Sequence, residues 1–209
     1  MIGCINEIGE RQKADNVSGL LGESGFREYM NQLDTPLETG YLLRIGIDHF
    51  KEINDNFGQE YGDFVLKKTA ERISGCTSEG QKVYKLVADE FLILDVASDE
   101  AKDADKLYDK VREAIDRFIE TNEFKVMYTV SGGIVPFAAL KGNQCSEALK
   151  LTDFALNEAK KLGRNRCYIF TGETYRKFLR KREITQELWE AVINGFQGFT
   201  AFYLSLIHI

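Results

Sequence analysis

Two apolar runs around an acidic tip, Val83-Tyr84-Lys85-Leu86-Val87-Ala88-Asp89-Glu90-Phe91-Leu92-Ile93-Leu94, constrain the fold of this chain more than any other stretch. β-Branched and aromatic residues on both sides of a short break predict a core hairpin that presents acidic groups at its turn. Adjacent carboxylates in such a place can hold a metal ion or simply face solvent as a polar turn. The stretch by itself leaves both readings open.

Around the hairpin the pattern switches between helix and strand. Ile2, Ile5 and Ile8 recur every three residues, which predicts that residues 2–14 are the end of a helix. Residues 15–20 are turn-rich, and over 22–33 Phe26, Tyr29, Met30 and Leu33 share a helical face, with Ser24 as a candidate cap. A β-prone run over 40–47 ends in Asp48, and Gly46 within it marks either a close approach to the backbone or a missing side chain. A short helix over 49–58 follows, with His49 as a partly exposed helix-start residue. A longer helix runs from about 61 to 74, its core face formed by Phe64, Val65, Leu66, Ala70 and Ile73. Beyond the hairpin, Ala104, Leu107, Val111, Ala114, Ile115 and Phe118 predict a helix over 100–120. Residues 124–131 predict a strand that runs into Gly132-Gly133, read as a bulge or a tight approach to a neighbour. A helix over 146–162 and a short strand over 166–170 complete an order that fits an α+β fold, a mixed central sheet covered by helices.

Charge narrows the choice of partners. With 27 Lys and Arg against 33 Asp and Glu the net charge is -6, which disfavours broad binding to nucleic acid or to an anionic membrane surface. The basic run 176–182 lies on a charged amphipathic helix over 173–194 and reads as a solvated face of a linker. No apolar stretch is long enough to span a bilayer and the start lacks a signal-peptide pattern, so the expected location is cytoplasmic. Cys4, Cys76, Cys145 and Cys167 lack metal-site spacing and have only His49 and His208 as imidazole partners, which predicts buried, reduced thiols and argues against zinc.

Several separate motifs over about 15–170 resemble a GGDEF domain, the diguanylate cyclase family, whose active members join two GTP molecules into cyclic di-GMP. Asp15-Asn16-Val17-Ser18-Gly19-Leu20 is similar to its opening signature DxLTGL. Gly46-Ile47-Asp48-His49-Phe50-Lys51-Glu52-Ile53-Asn54-Asp55 resembles DIDxFKxIND. Gly58-Gln59-Glu60-Tyr61-Gly62-Asp63 opens a GHxxGD-like stretch, and Ala159-Lys160-Lys161-Leu162-Gly163-Arg164-Asn165-Arg166 resembles AKxxGRNR. The resemblance implies a sheet of ferredoxin or nucleotidyl-cyclase type. It also implies Mg²⁺, or Mn²⁺ in its place, held by Asp89 and the carbonyl of Ile47, with Asp89 and Glu90 as the catalytic acids. Attack of a ribose hydroxyl on phosphorus builds charge on phosphate oxygens, which is why carboxylate-held metal and nearby cations suit the reaction. By the same resemblance Phe50, Lys51, Asn54, Asp63, Lys160 and Arg164 bind GTP, Asn54 and Asp63 at the guanine and Lys51, Lys160 and Arg164 at the phosphates. Read as residues alone, Asn54 is a helix-end amide, Asp63 a helix-start acid, and Lys160 and Arg164 a solvated helix end.

The departures from the family pattern are concentrated at the reacting centre. GGDEF is here Val87-Ala88-Asp89-Glu90-Phe91, and a β-branched Val is poorly suited to the positive φ that glycine allows. Gly46 stands where the family has a metal-ligand Asp, and Asp48, displaced by about 6.6 Å along a strand, is a poor substitute. The inhibitory RxxD falls at Ser78-Glu79-Gly80-Gln81 and is absent. Residues 187–203 resemble the start of an EAL domain, the cyclic di-GMP phosphodiesterase, but break off at Leu204-Ser205, which suggests a truncated GGDEF–EAL protein. The expected organisation is therefore an upstream linker end over 1–14, a GGDEF domain over 15–172, and a linker helix with the start of an EAL-like domain over 173–209. The leading expectation is a degenerate, GTP-binding, homodimeric regulatory module for that EAL-type domain. An active cyclase and a dimerisation scaffold without a nucleotide are the alternatives.

Overall fold

The computed structural model describes residues 14–33, 37, 39–96, 98, 101–115, 119–120, 125–142, 145–196 and 200. The expected helix over 2–14, Cys4, Phe118, His208 and the EAL-like segment beyond Phe196 lie, apart from Ala14 and Thr200, outside the described residues. The chain divides into two compact units, Met1–Phe170 and Thr171–Ile209.

The first unit is built on a six-stranded mixed sheet in the order β1-β3-β4-β2-β7-β8. The strands are β1 (Leu21–Gly22), β2 (Tyr41–Ile47), β3 (Gln81–Lys85), β4 (Glu90–Asp95), β7 (Val130–Pro136) and β8 (Cys167–Ile169). A separate ribbon pairs β5 (Ile119–Glu120) with β6 (Lys125–Val126). The central strands β3, β4, β2 and β7 are antiparallel neighbours, while β1 joins β3 and β8 joins β7 in parallel. β2 lies in the middle because its seven residues are almost wholly apolar and buried on both faces.

Alternation along the strands separates two cores. Leu43, Ile45, Ile47, Phe91, Ile93, Val130 and Ile134 face one layer, which holds α3 (Gln59–Cys76) and α4 (Ala101–Ile115). Leu42, Tyr84, Leu92 and Leu94 face the other, with Phe26 and Met30 of α1 (Glu23–Asn31) and Ala148 of α5 (Cys145–Lys161). Each fully buried Ile or Leu contributes about 1.5–3 kcal/mol by leaving water. The short helix α2 (Phe50–Phe57) follows directly on β2 and opens at one end of the sheet.

Four local expectations change. Ser24 lies inside α1, whose N-cap is Gly22 with no side-chain cap bond. The predicted helix over 100–120 ends at Ile115, and its last residues Ile119 and Glu120 belong to the ribbon, where strand pairing outcompetes the helical pattern. The expected strand over 124–131 is split into β6 and the start of β7. Gly132-Gly133 is no bulge, because β7 keeps an unbroken register against β2; a Cβ on Gly133 would stand 2.7 Å from the Ala155 carbonyl carbon. The tight approach is what these glycines serve: Gly133 lets the α5 backbone lie directly on β7, and a Cβ on Gly132 would stand 2.6 Å from Tyr108 Cδ2 of α4.

The described part of the second unit consists mainly of the helix α6 (Gly172–Ile193), capped by Thr171, whose hydroxyl accepts from the Thr174 amide at 3.4 Å. Arg176, Arg180, Lys181 and Arg182 are exposed, as a solvated face requires. Cys76 and Cys145 are buried and Cys167 half-buried, all free thiols. Among the described residues no helix is long and apolar enough to cross a membrane.

Candidate functional site

The hairpin tip sits at the end of β2. Leu86 donates to the Glu90 carbonyl at 2.8 Å, Glu90 donates to the Val87 carbonyl at 3.3 Å, and the Ile47 amide donates to the Asp89 carbonyl at 3.3 Å. The residue that takes the left-handed conformation is Ala88, with φ 56°, while Val87 avoids positive φ and points outward at 71% exposure. The expectation that Val87 carries the backbone strain is thus corrected: the turn places the strain one residue later, on a side chain with only a methyl group. An Ala in this region costs about 1–2 kcal/mol. Lys85 holds the carbonyls of the turn. Its buried ammonium donates to the Leu86 carbonyl at 3.0 Å and to the Ala88 carbonyl, and lies 5.2 Å over the Phe91 ring. Burial lowers the Lys85 pKa, and the carboxylates of Asp15, Asp89 and Glu90 pull against that shift.

Glu90 lies on the sheet face that α5 covers, in register with Gly46 on β2. Two residues earlier on the same face of β2, Arg44 donates from Nε to Glu90 Oε2 at 2.7 Å, and its Nη2 reaches the same oxygen. Its remaining Nη1 donates to the Leu149 carbonyl of α5 at 3.1 Å, and Asp153 Oδ1 lies 3.6 Å from Nη2. Lys160, on the same helix, brings its ammonium to 3.9 Å from Glu90 Oε1. A Cβ built on Gly46 would meet that ammonium at 3.1 Å and Leu156 Cδ2 at the same distance. The half-buried Asp89 carboxylate has a raised pKa, burial being the main cause and the nearby Lys160 ammonium opposing it.

Asp48 is committed elsewhere. Its buried carboxylate accepts from Ser131 Oγ and Thr129 Oγ1, each at 2.7 Å, and from the Asn165 amide at 3.1 Å. It therefore anchors the turn after α5, where Gly163, Arg164 and Asn165 all have positive φ. Arg164 is exposed on that turn. Gln81, within the stretch where RxxD would fall, bridges the Ser78 amide at 2.9 Å to Asp95 at 2.6 Å and so has a structural role.

A second patch forms where α2 meets α3. Asn54 lays its amide over Gly62, and its Oδ1 is buried without a hydrogen-bond partner. A Cβ on Gly62 would stand 2.9 Å from Asn54 Cγ, closer still to Oδ1, and 3.3 Å from Phe50 Cζ. Asp63 is half-buried, Lys51 exposed, and Phe50 partly packed into the core. A cleft of about 290 Å³ between α2 and residues 126–129 contains none of the candidate residues. The structure thus joins Glu90, Asp89 and Lys160 at one place and Phe50, Asn54 and Gly62 at another. Arg44 and Lys85 were not singled out in the sequence. For Arg44 the available signal was a single cation inside an otherwise apolar strand.

The family model described as "Diguanylate cyclase, GGDEF domain" matches residues 13–166. The chain belongs to the GGDEF family. Cyclic di-GMP phosphodiesterase NbdA of Pseudomonas aeruginosa is 28% identical over 183 residues, covering 85% of this chain and 23% of that protein. Diguanylate cyclase DgcZ of Escherichia coli K12 is 30% identical over 161 residues, covering 75% of this chain and 53% of that protein. The GGDEF domain therefore spans at most about half the length of these relatives. Among solved structures, the isolated GGDEF domain of TpbB (YfiN) from Pseudomonas aeruginosa superposes with a TM-score of 0.73 at 25% identity, covering 79% of this chain and 99% of that one. The mixed α+β sheet is thus the GGDEF fold, and the chain is a GGDEF domain of cyclic di-GMP signalling.

GGDEF domains are generally metal-dependent, but the residues present here do not fit a divalent ion well. Gly46 supplies no ligand, the Glu90 carboxylate is taken up by Arg44, and the Lys160 ammonium fills the space beside Gly46. Among the described residues no three His, Cys, Asp or Glu side chains gather as a cage. That leaves Asp89 as the carboxylate of the tip outside an ion pair among those residues.

Proposed function

We propose that this GGDEF domain binds GTP without converting it to cyclic di-GMP and regulates a phosphodiesterase domain of EAL type in a longer, cytoplasmic, homodimeric protein. The observation that carries the reading is a contrast. Asn54 keeps a buried, unpartnered carbonyl oxygen at the base-reading patch, whereas Glu90 at the reacting centre is engaged by Arg44. A buried polar atom without a partner costs about 1–3 kcal/mol, so Asn54 is poised to gain a donor from a ligand such as the guanine edge. In this reading Asp63 takes the neighbouring donors of the base, Phe50 lines the patch, and Lys51, Lys160 and Arg164 meet the phosphates. Asp89 and the Ile47 carbonyl retain at most a weakened site for Mg²⁺ or Mn²⁺. The likeness to NbdA, itself named a phosphodiesterase, supports an EAL-type domain downstream, with residues 15–172 as the GGDEF domain and 173–209 leading into the next.

Incubation with GTP and Mg²⁺ or Mn²⁺, read by mass spectrometry beside calorimetric GTP binding, tests the proposal. Binding with no cyclic di-GMP is expected. Product formation would restore the cyclase reading, and absence of binding would leave the scaffold.

A further inference from the structure

The guanidinium of Arg44 is used up. It reaches Glu90 through Nε and Nη2 and the Leu149 carbonyl through Nη1, and the side chain is only 12% exposed. A cation seeking Glu90 would have to displace a charge held from two elements, and would do so beside the Lys160 ammonium, 3.9 Å from the other carboxylate oxygen. Lys160 differs from Arg44 in one respect that matters for a ligand. At 3.9 Å its contact with Glu90 is too long for a hydrogen bond, and it donates to no other group among the described residues, so its three N–H donors are uncommitted. The ammonium also stands against Gly46, in the volume that a side chain at that position would claim.

We infer that this chain takes a nucleoside triphosphate without a divalent ion, the Lys160 ammonium standing in the ion's place and Arg44 locking Glu90 out of metal binding. The inference rests on the nucleotide-binding reading above and adds to it the ionic state of the ligand, free triphosphate in place of its metal complex. A free triphosphate carries more negative charge than its Mg²⁺ complex, and the side chains offered to it are cations: Lys160 beside Glu90, with Lys51 and Arg164 exposed. Mg²⁺ competes with those cations for the same phosphate oxygens and gains in return only Asp89, which already lies beside the Lys160 ammonium.

The lock has two parts, and they make opposite demands on a reversion. The carboxylate introduced by Gly46→Asp would meet the Lys160 ammonium and pair with it, because the new Cβ stands 3.1 Å from Nζ. Releasing Glu90 with Arg44→Leu leaves no second ligand on β2. Only the double variant adds both the position-46 and the Glu90 carboxylates to Asp89, more than the Lys160 ammonium alone can neutralise.

Isothermal titration with GTP on the whole chain, in EDTA and in excess Mg²⁺, tests the inference. The expected result is affinity in EDTA equal to or tighter than in Mg²⁺, lost at least about tenfold in Lys160→Met under both conditions. The Arg44→Leu/Gly46→Asp double variant is expected to bind at least about tenfold tighter with Mg²⁺ than without, and neither single variant to show that preference. Arg44→Lys, which keeps the charge on the face, checks that loss of Arg44 does not simply unfold the sheet. Wild-type binding that needs Mg²⁺ overturns the inference and leaves the nucleotide-binding reading standing. Absence of binding under both conditions overturns both.

Discussion

Replacing Gly62 by Ala is expected to abolish base recognition while leaving the fold in place. The new Cβ would stand 2.9 Å from Asn54 Cγ and closer to Oδ1, well inside ordinary van der Waals contact, so the Asn54 amide must rotate away. Forcing a side chain off its rotamer costs about 0.5–1.5 kcal/mol. Replacing a helix-interior Gly by Ala returns about 1 kcal/mol of helix propensity. The two nearly cancel, so the melting temperature should move by only a few degrees. GTP affinity behaves differently. Losing the Asn54 amide at the base removes about 1–3 kcal/mol of recognition, a loss of roughly 5- to 150-fold. Calorimetric titration together with thermal unfolding separates the two effects. Asn54→Ala should show a similar loss, and the double variant little more, because both act through one amide. Unchanged affinity in a folded Gly62→Ala variant would refute the role given to Asn54.

Other perturbations probe the scaffold. Gly133→Ala drives a methyl group into the α5 backbone at Ala155 and Leu156 and should cost about 3 kcal/mol, read by chemical denaturation. Ala88→Gly removes the left-handed strain and should stabilise the chain by about 0.5–1 kcal/mol in the same assay. Asp48→Ala strips the acceptor from Ser131, Thr129 and the Asn165 amide and should cost about 3 kcal/mol, with weaker hydrogen-exchange protection of the turn after α5. The folded pKa of Asp89 is raised above its ordinary 3.8, so its protonated form favours the folded state. The stability it contributes is complete below about 3.8 and lost as pH rises through the raised value. Relative to wild type, Asp89→Asn should therefore gain stability as pH rises through that window, measured by urea titration at several pH values.

Much of this fold was legible because local pattern and tertiary packing agree. The hairpin, the strand ending at Asp48 and the long helix carrying Val65, Ala70 and Ile73 each place their apolar residues where the sheet needs them. The helix over 100–120 was overextended because a continuing apolar pattern hides the switch to a ribbon, which depends on pairing with β6. Which tip residue turns left-handed depends on the hydrogen bonds of Leu86 and Glu90, and those follow from strand register. Arg44 escaped notice for a related reason. Its partner is 46 positions away, and only the pairing of β2 with β4 puts the two on one face.

The central question is whether this GGDEF domain holds GTP without performing the family's reaction. One sample, titrated with GTP and then incubated for many hours with GTP and Mg²⁺ or Mn²⁺ before mass spectrometry, answers it most directly. Saturable GTP binding with no cyclic di-GMP is the predicted result. Cyclic di-GMP formed by the wild-type chain, and lost in Asp89→Asn, would contradict it.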